Sequence, residues 1–160
     1  MSLSSNQPED LLFDAARKGD IPYLRQLIEN NADVNIQNDK GFTPLIVATY
    51  GGQLEAARML LDANAEVNVQ DVSGNTALMG VSFKGSPDMA RLLIEHGADL
   101  DRQNDNGSTA LMYAVMFGQN QLVKLLLEHA ADATIRDNRG LTARDLALQH
   151  KNEEALQWLS

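Results

Sequence analysis

Gly41, Gly74, Gly107 and Gly140 stand 33 residues apart, and Thr43, Thr76, Thr109 and Thr142 repeat the same interval two positions later. Leu45, Leu78 and Leu111 hold a third column. No other feature constrains the fold as tightly, because a motif copied at constant spacing folds as a stack of like units rather than as one globule. Each unit cannot bury its own apolar face and needs its neighbour to do so. The core is therefore expected to be a ribbon between adjacent units, with few contacts between residues distant in sequence.

Inside one copy, 38–70, the local chemistry specifies two short helices. Thr43 is placed to cap a helix with its hydroxyl, and Pro44 suits the first helical position, where a backbone N–H would lack a partner anyway. Leu45, Val47 and Ala48 are expected to face the core, and Gly51-Gly52 to end the helix. A second helix is expected from about Leu54 to Ala63, with Ala57, Leu60 and Leu61 on its buried side. Asn64 follows where the chain must turn left-handed, as do Asn31 and Gly97 at equivalent positions. Ala130 takes that place in a later copy, at a cost of about 1 kcal/mol. Between copies, short segments ending at the repeated glycines are expected to reverse as hairpin-like fingers, Asn106-Gly107 carrying the strongest turn signal. Gly80 falls in a helix interior where the other copies have Val47 and Tyr113, and Tyr113 is expected to lean into the space it leaves.

The Gly-x-Thr-Pro-Leu run at 41–45, Leu54-Glu55, and Ala-Glu-Val-Asn at 65–68 resemble the ankyrin repeat. The resemblance covers nearly the whole chain. It implies an all-α repeat fold, a solenoid of helix-turn-helix units joined by β-hairpin-like fingers. A polar lead-in, 1–8, precedes a single domain, 9–160. Within it, 9–37 is an N-terminal cap, 38–70, 71–103 and 104–136 are full repeats, and 137–160 is a C-terminal cap. In the last unit Asn152 is expected to cap the final helix, with Glu153 and Glu154 opposing its dipole. Trp158, in the column of Met59, Leu92 and Leu125, is expected to plug the end of the stack.

Composition removes several classes of function. A formal net charge of -9 repels nucleic acid and anionic membrane, and no basic stripe with interleaved aromatics offsets it. The chain has no cysteine, which excludes disulfides, thiolate metal sites and a cysteine nucleophile. His96, His129 and His150 do not share a helix face with other metal-ligating side chains at ligand spacing. The carboxylates Asp99, Asp101, Asp132 and Asp137 fall in turns, where they accept backbone N–H groups. No nucleophile elbow, phosphate loop or dinucleotide fingerprint is present. No enzyme activity, cofactor or metal is expected. The opening residues, 1–10, have neither a basic start nor an apolar run, so the expected compartment is the cytoplasm, or the periplasm if a leader was removed.

The resemblance also implies where a partner binds, since ankyrin fingers and inner helices line a concave face. Projected onto that face, the finger tips present Lys40, Val72, Asn106 and Arg139, Phe42 precedes a helix, and the helix ends present Tyr50, Phe83, Lys84, Met116 and Phe117. Aromatic residues make up only 5% of the chain, so Phe42, Tyr50, Phe83 and Phe117 falling in these columns suggests an apolar patch with a charged rim. The expected function is non-catalytic binding of one protein partner by a monomer. The runs 74–80, 83–85 and 114–118 are similar to small stand-alone bacterial ankyrin proteins, some of which accompany catalases, and this resemblance implies a catalase-like haem enzyme as partner. Two alternatives are masking of a hydrolase active site by an inhibitor or immunity protein, and a scaffold fragment of a larger chain.

Overall fold

The computed structural model describes residues 8–159. The lead-in expected over 1–8 lies outside the described residues except for Pro8, the first residue of α1.

Among the described residues the structure is ten helices in five consecutive pairs. The first helices of the pairs are α1 (Pro8–Lys18), α3 (Pro44–Tyr50), α5 (Ala77–Lys84), α7 (Ala110–Met116) and α9 (Ala143–Gln149). Their second helices are α2 (Ile21–Glu29), α4 (Leu54–Asp62), α6 (Pro87–Glu95), α8 (Asn120–Glu128) and α10 (Glu153–Trp158). First helices pack on first helices along the chain, and second on second, giving two helical layers. Leu45, Leu78 and Leu111 are buried between them, as are Leu60, Leu93 and Leu126. The buried side chains join into one continuous cluster running the length of the stack.

Threonine hydroxyls start four of the first helices. Thr43, Thr76, Thr109 and Thr142 each accept the backbone N–H three residues on. This satisfies a donor that a helix leaves unpaired at its start. Asn152 caps α10 by accepting the Ala155 N–H, and also donates to the Val115 carbonyl of the preceding repeat. Gln53 and Gln119, in the same column, donate to the carbonyls of Arg17 and Phe83 and do not cap at all.

The fingers are turns without strands. In each, one side chain closes the loop: Asn38, Asp71, Asn104 and Asp137 accept through Oδ1 from the backbone N–H groups two and four residues on. Neighbouring fingers then bond tip to tip, Val72 N–H to the Lys40 carbonyl, Asp105 to Ser73 and Asn138 to Asn106. A Cβ added at Gly74, where φ is +81°, would lie 2.8 Å from the Asp105 backbone nitrogen. Glycine is therefore required there both by the left-handed backbone and by the approach of the next finger.

Three expectations fail. Val47 does not join the core; it is half-buried and lines a groove beside the fingers. The space over Gly80 is occupied by Tyr50 of the preceding repeat, whose Cδ1 lies 3.3 Å from where a Cβ would stand. Tyr113 is instead turned toward Asn104, which donates to its hydroxyl at 3.0 Å. Trp158 is 37% exposed and plugs nothing. Its column is buried in α6 and α8, each of which is followed by another second helix, and α10 has no such neighbour. Ala155 and Leu159 bury themselves at that end in its place.

Candidate functional site

The groove between the first helices and the fingers contains a hollow of about 640 Å³ between α3 and α5. Four aromatic rings line it: Phe42 from a finger base, Tyr50 at the end of α3, Phe83 in α5 and Tyr113 in α7. Ile46, Val47, Met79 and Gly80 complete its apolar wall, and Arg17, Asp71 and Asn75 supply polar groups. A second hollow of about 560 Å³ adjoins it, sharing Arg17 and Phe42 and reaching Lys40.

The rings form a row across three repeats. Tyr50 and Phe83 lie nearly parallel with centroids 6.4 Å apart. Phe83 meets Phe117 edge to face at 4.6 Å. Phe117 lies nearly parallel to Tyr113 at 6.3 Å. Offset-parallel and edge-to-face arrangements are the favoured ones for rings with a negative face and positive edge. Lys84 Nζ stands 4.8 Å from the Tyr50 centroid, in cation–π range. Tyr50 and Phe117 remain 47% and 51% exposed, so mutual contact orders the rings without hiding them.

Neighbouring polar groups fix the position of Tyr113. Asn104, almost fully buried, donates through Nδ2 to Asn75 Oδ1 at 2.7 Å as well as to the Tyr113 hydroxyl. The hydroxyl in turn reaches Asn75 Oδ1 at 3.4 Å. A finger residue thereby ties a groove ring to the finger before it.

The site residues expected from sequence divide into three groups. Phe42, Tyr50 and Phe83 line the hollow, and Lys84 and Phe117 join them through ring contacts. Lys40, Val72, Asn106 and Arg139 are exposed on the fingers, apart from the aromatic row. Arg139 holds the buried Asp137 carboxylate at 2.9 Å, so its charge is partly committed within its own finger. Met116 departs from expectation, being half-buried against the core cluster and not part of the aromatic contacts. Val47, Gly80 and Tyr113 form one column of the repeat that sequence reasoning did not assign to the site. Their unlike sizes at one repeat position were the available signal.

The titration behaviour of the turn carboxylates is that of structural acceptors. Burial pushes Asp137 up, but the Leu141 and Arg139 backbone N–H groups and the Arg139 guanidinium outweigh it and hold the carboxyl below its ordinary range. The Thr134 hydroxyl and backbone N–H lower Asp132, and the Thr142 backbone N–H and hydroxyl lower Asp145. These shifts run opposite to the upward shift of a carboxylic acid poised as a proton donor. His96 and His129 each place Nδ1 2.9 Å from the carbonyl four residues earlier in their own helix. Among the described residues no group of three ionisable ligands could hold a metal ion, and no helix is long and apolar enough to cross a membrane.

The family model described as ankyrin repeats (3 copies) matches residues 12–104 and 81–160. No individual curated protein matches the sequence. Proteins of that family are in general non-enzymatic modules of protein–protein interaction. The match extends from α1 through α10, over the same Thr-capped helix pairs and Gly-turned fingers that build the groove, and the chain belongs to the ankyrin-repeat family.

Proposed function

We propose that this chain is a non-catalytic binding module that holds a protein partner in the groove between its fingers and first helices. The observation that carries the reading is the row Tyr50, Phe83 and Phe117, three rings from successive repeats ordered against one another, the outer two exposed and Phe83 half-buried between them. Rigid aromatic side chains give large contact area at small entropic cost, and binding energy at interfaces concentrates on such anchors. Phe42 extends the apolar surface toward the fingers. Lys84 beside the rings and, farther out on the fingers, Lys40, Val72, Asn106 and Arg139 make the peripheral contacts in this reading, which set orientation more than affinity. The module acts as a monomer in this reading, with the groove left free for a different chain.

The partner is an enzyme regulated or protected by the contact, and a catalase-like haem enzyme is the first candidate. A hydrolase with a masked active site is the competing class. Affinity capture from extracts of the source organism, with the wild type and with a Phe83→Ala/Phe117→Ala double variant, tests the reading. The expected result is one principal captured protein, lost in the double variant, with a melting temperature lowered by only a few degrees. Equal capture by both forms would contradict it. Assay of the captured protein for peroxide decomposition or for hydrolase inhibition then decides between the two classes.

A further inference from the structure

The helices of the first layer end beside the aromatic row, and the turns after them carry a charge bias opposite to that of the chain. The segments 17–20, 50–53, 83–86, 116–119 and 149–152 contain Arg17, Lys18, Lys84 and Lys151 against a single carboxylate, Asp20. The whole chain has a net charge of -9. Asp20 is occupied as a helix cap, accepting the Tyr23 N–H. Arg17 spends one nitrogen on Asp14 at 2.8 Å and keeps its other donors. It also lines the aromatic hollow, and Lys84 sits over one of its rings.

From this geometry, and resting on the groove-binding reading above, we propose that the groove takes an extended acidic segment of the partner. A large apolar side chain of that segment fills the hollow lined by Phe42, Val47, Tyr50 and Phe83, and flanking Asp or Glu residues meet Arg17, Lys18 and Lys84. An aromatic box could in principle hold a cation. Lys84 covers Tyr50 and Arg17 borders the same space, while the lining carboxylate, Asp71, is engaged through Oδ1 by the Ser73 and Asn75 N–H groups of its own finger, so at the ring end of the hollow an anion-flanked anchor is favoured over a second cation. The length of the row argues for a chain segment over a compact small molecule. Three repeats at a helix-packing distance of roughly 10 Å span about 20 Å, which an extended peptide covers in about six residues.

The test is a display selection of random ten-residue peptides on the immobilised full chain. It is followed by anisotropy titration of a labelled selected peptide against the wild type, Arg17→Glu/Lys84→Glu, Phe83→Ala and Phe117→Ala. The selected set is expected to carry one large apolar residue with two or more Asp or Glu within three positions. The charge-reversed variant is expected to bind at least about fivefold more weakly, and a peptide with its acids replaced by Lys to recover binding to that variant. Both Phe variants are expected to lose affinity. Phe117 is half exposed, so its variant keeps the ring test informative if Phe83→Ala fails to fold. Neutral or basic flanks, indifference to charge reversal, or no enrichment would overturn the acidic-segment proposal alone. Peptides whose binding ignores both Phe substitutions would overturn the groove reading with it.

Discussion

Ala130 ends α8's turn with φ of +68°, a left-handed conformation that Asn31 and Asn64 tolerate better and Gly97 adopts freely. The Cβ of alanine is strained there by about 1 kcal/mol, so Ala130→Gly is expected to stabilise the protein by roughly that amount. Urea unfolding checks this as a higher midpoint at unchanged slope. Asp137 offers a second test. Its carboxyl closes the last finger by accepting two backbone N–H groups and pairing with Arg139, and it stays ionised below its ordinary range. A depressed folded-state value means the stabilisation is fully present above the unfolded carboxylate value near 4 and is lost as pH falls through the lower folded one. Asn38 and Asn104 close equivalent fingers, so Asp137→Asn should fold normally. Melting temperatures measured from pH 7 down to pH 2 are expected to show the wild type's advantage over Asp137→Asn shrinking below about pH 4.

The fingers show how spacing becomes geometry and where spacing stops being informative. Gly74 and Gly140 share a column and a positive φ, but only Gly74 has the next finger's backbone against it. Gly140→Ala is therefore expected to cost about 1 kcal/mol from backbone strain alone, and Gly74→Ala at least about 2 kcal/mol, because Asp105 must also move. The difference appears directly as a difference in urea midpoints. Features internal to one repeat were readable from the sequence: the Thr caps, the finger glycines and the left-handed Asn and Ala positions all follow from local chemistry. Features that depend on how one repeat sits on the next were not. Register and twist between units are not contained in a period, so the seating of Tyr50 over Gly80, the turn of Tyr113 toward Asn104, and Val47's place in the groove required coordinates. The aromatic cluster was visible in outline through its columns, whereas Met116's retreat toward the core was not. Gly80 links stability to the site: Gly80→Ala gains about 1 kcal/mol of helix propensity, less whatever is needed to move the exposed Tyr50 ring. The expected outcome is a small rise in melting temperature with weaker partner binding, measured on the same preparation.

Two helical layers whose principal contacts join neighbouring helices make a wall, and its two faces differ in chemistry. The second helices present Glu55, Asp62, Asp88, Glu95 and Glu128, all exposed, and short surface pairs such as Arg91 with Asp88 at 3.1 Å. Exposed pairs of this kind contribute little to stability and serve mainly to keep the face hydrated. On the groove side the ordered rings of Tyr50, Phe83 and Phe117 stand beside cationic turns. That asymmetry is the basis for assigning recognition to the groove. Site-specific photocrosslinking in the source cell tests it most directly, with benzoylphenylalanine placed at position 117 in the groove or at position 91 on the outer helices. The account predicts a discrete crosslinked protein from position 117 and none from position 91; the same product from position 91 alone, or from both positions equally, would contradict it.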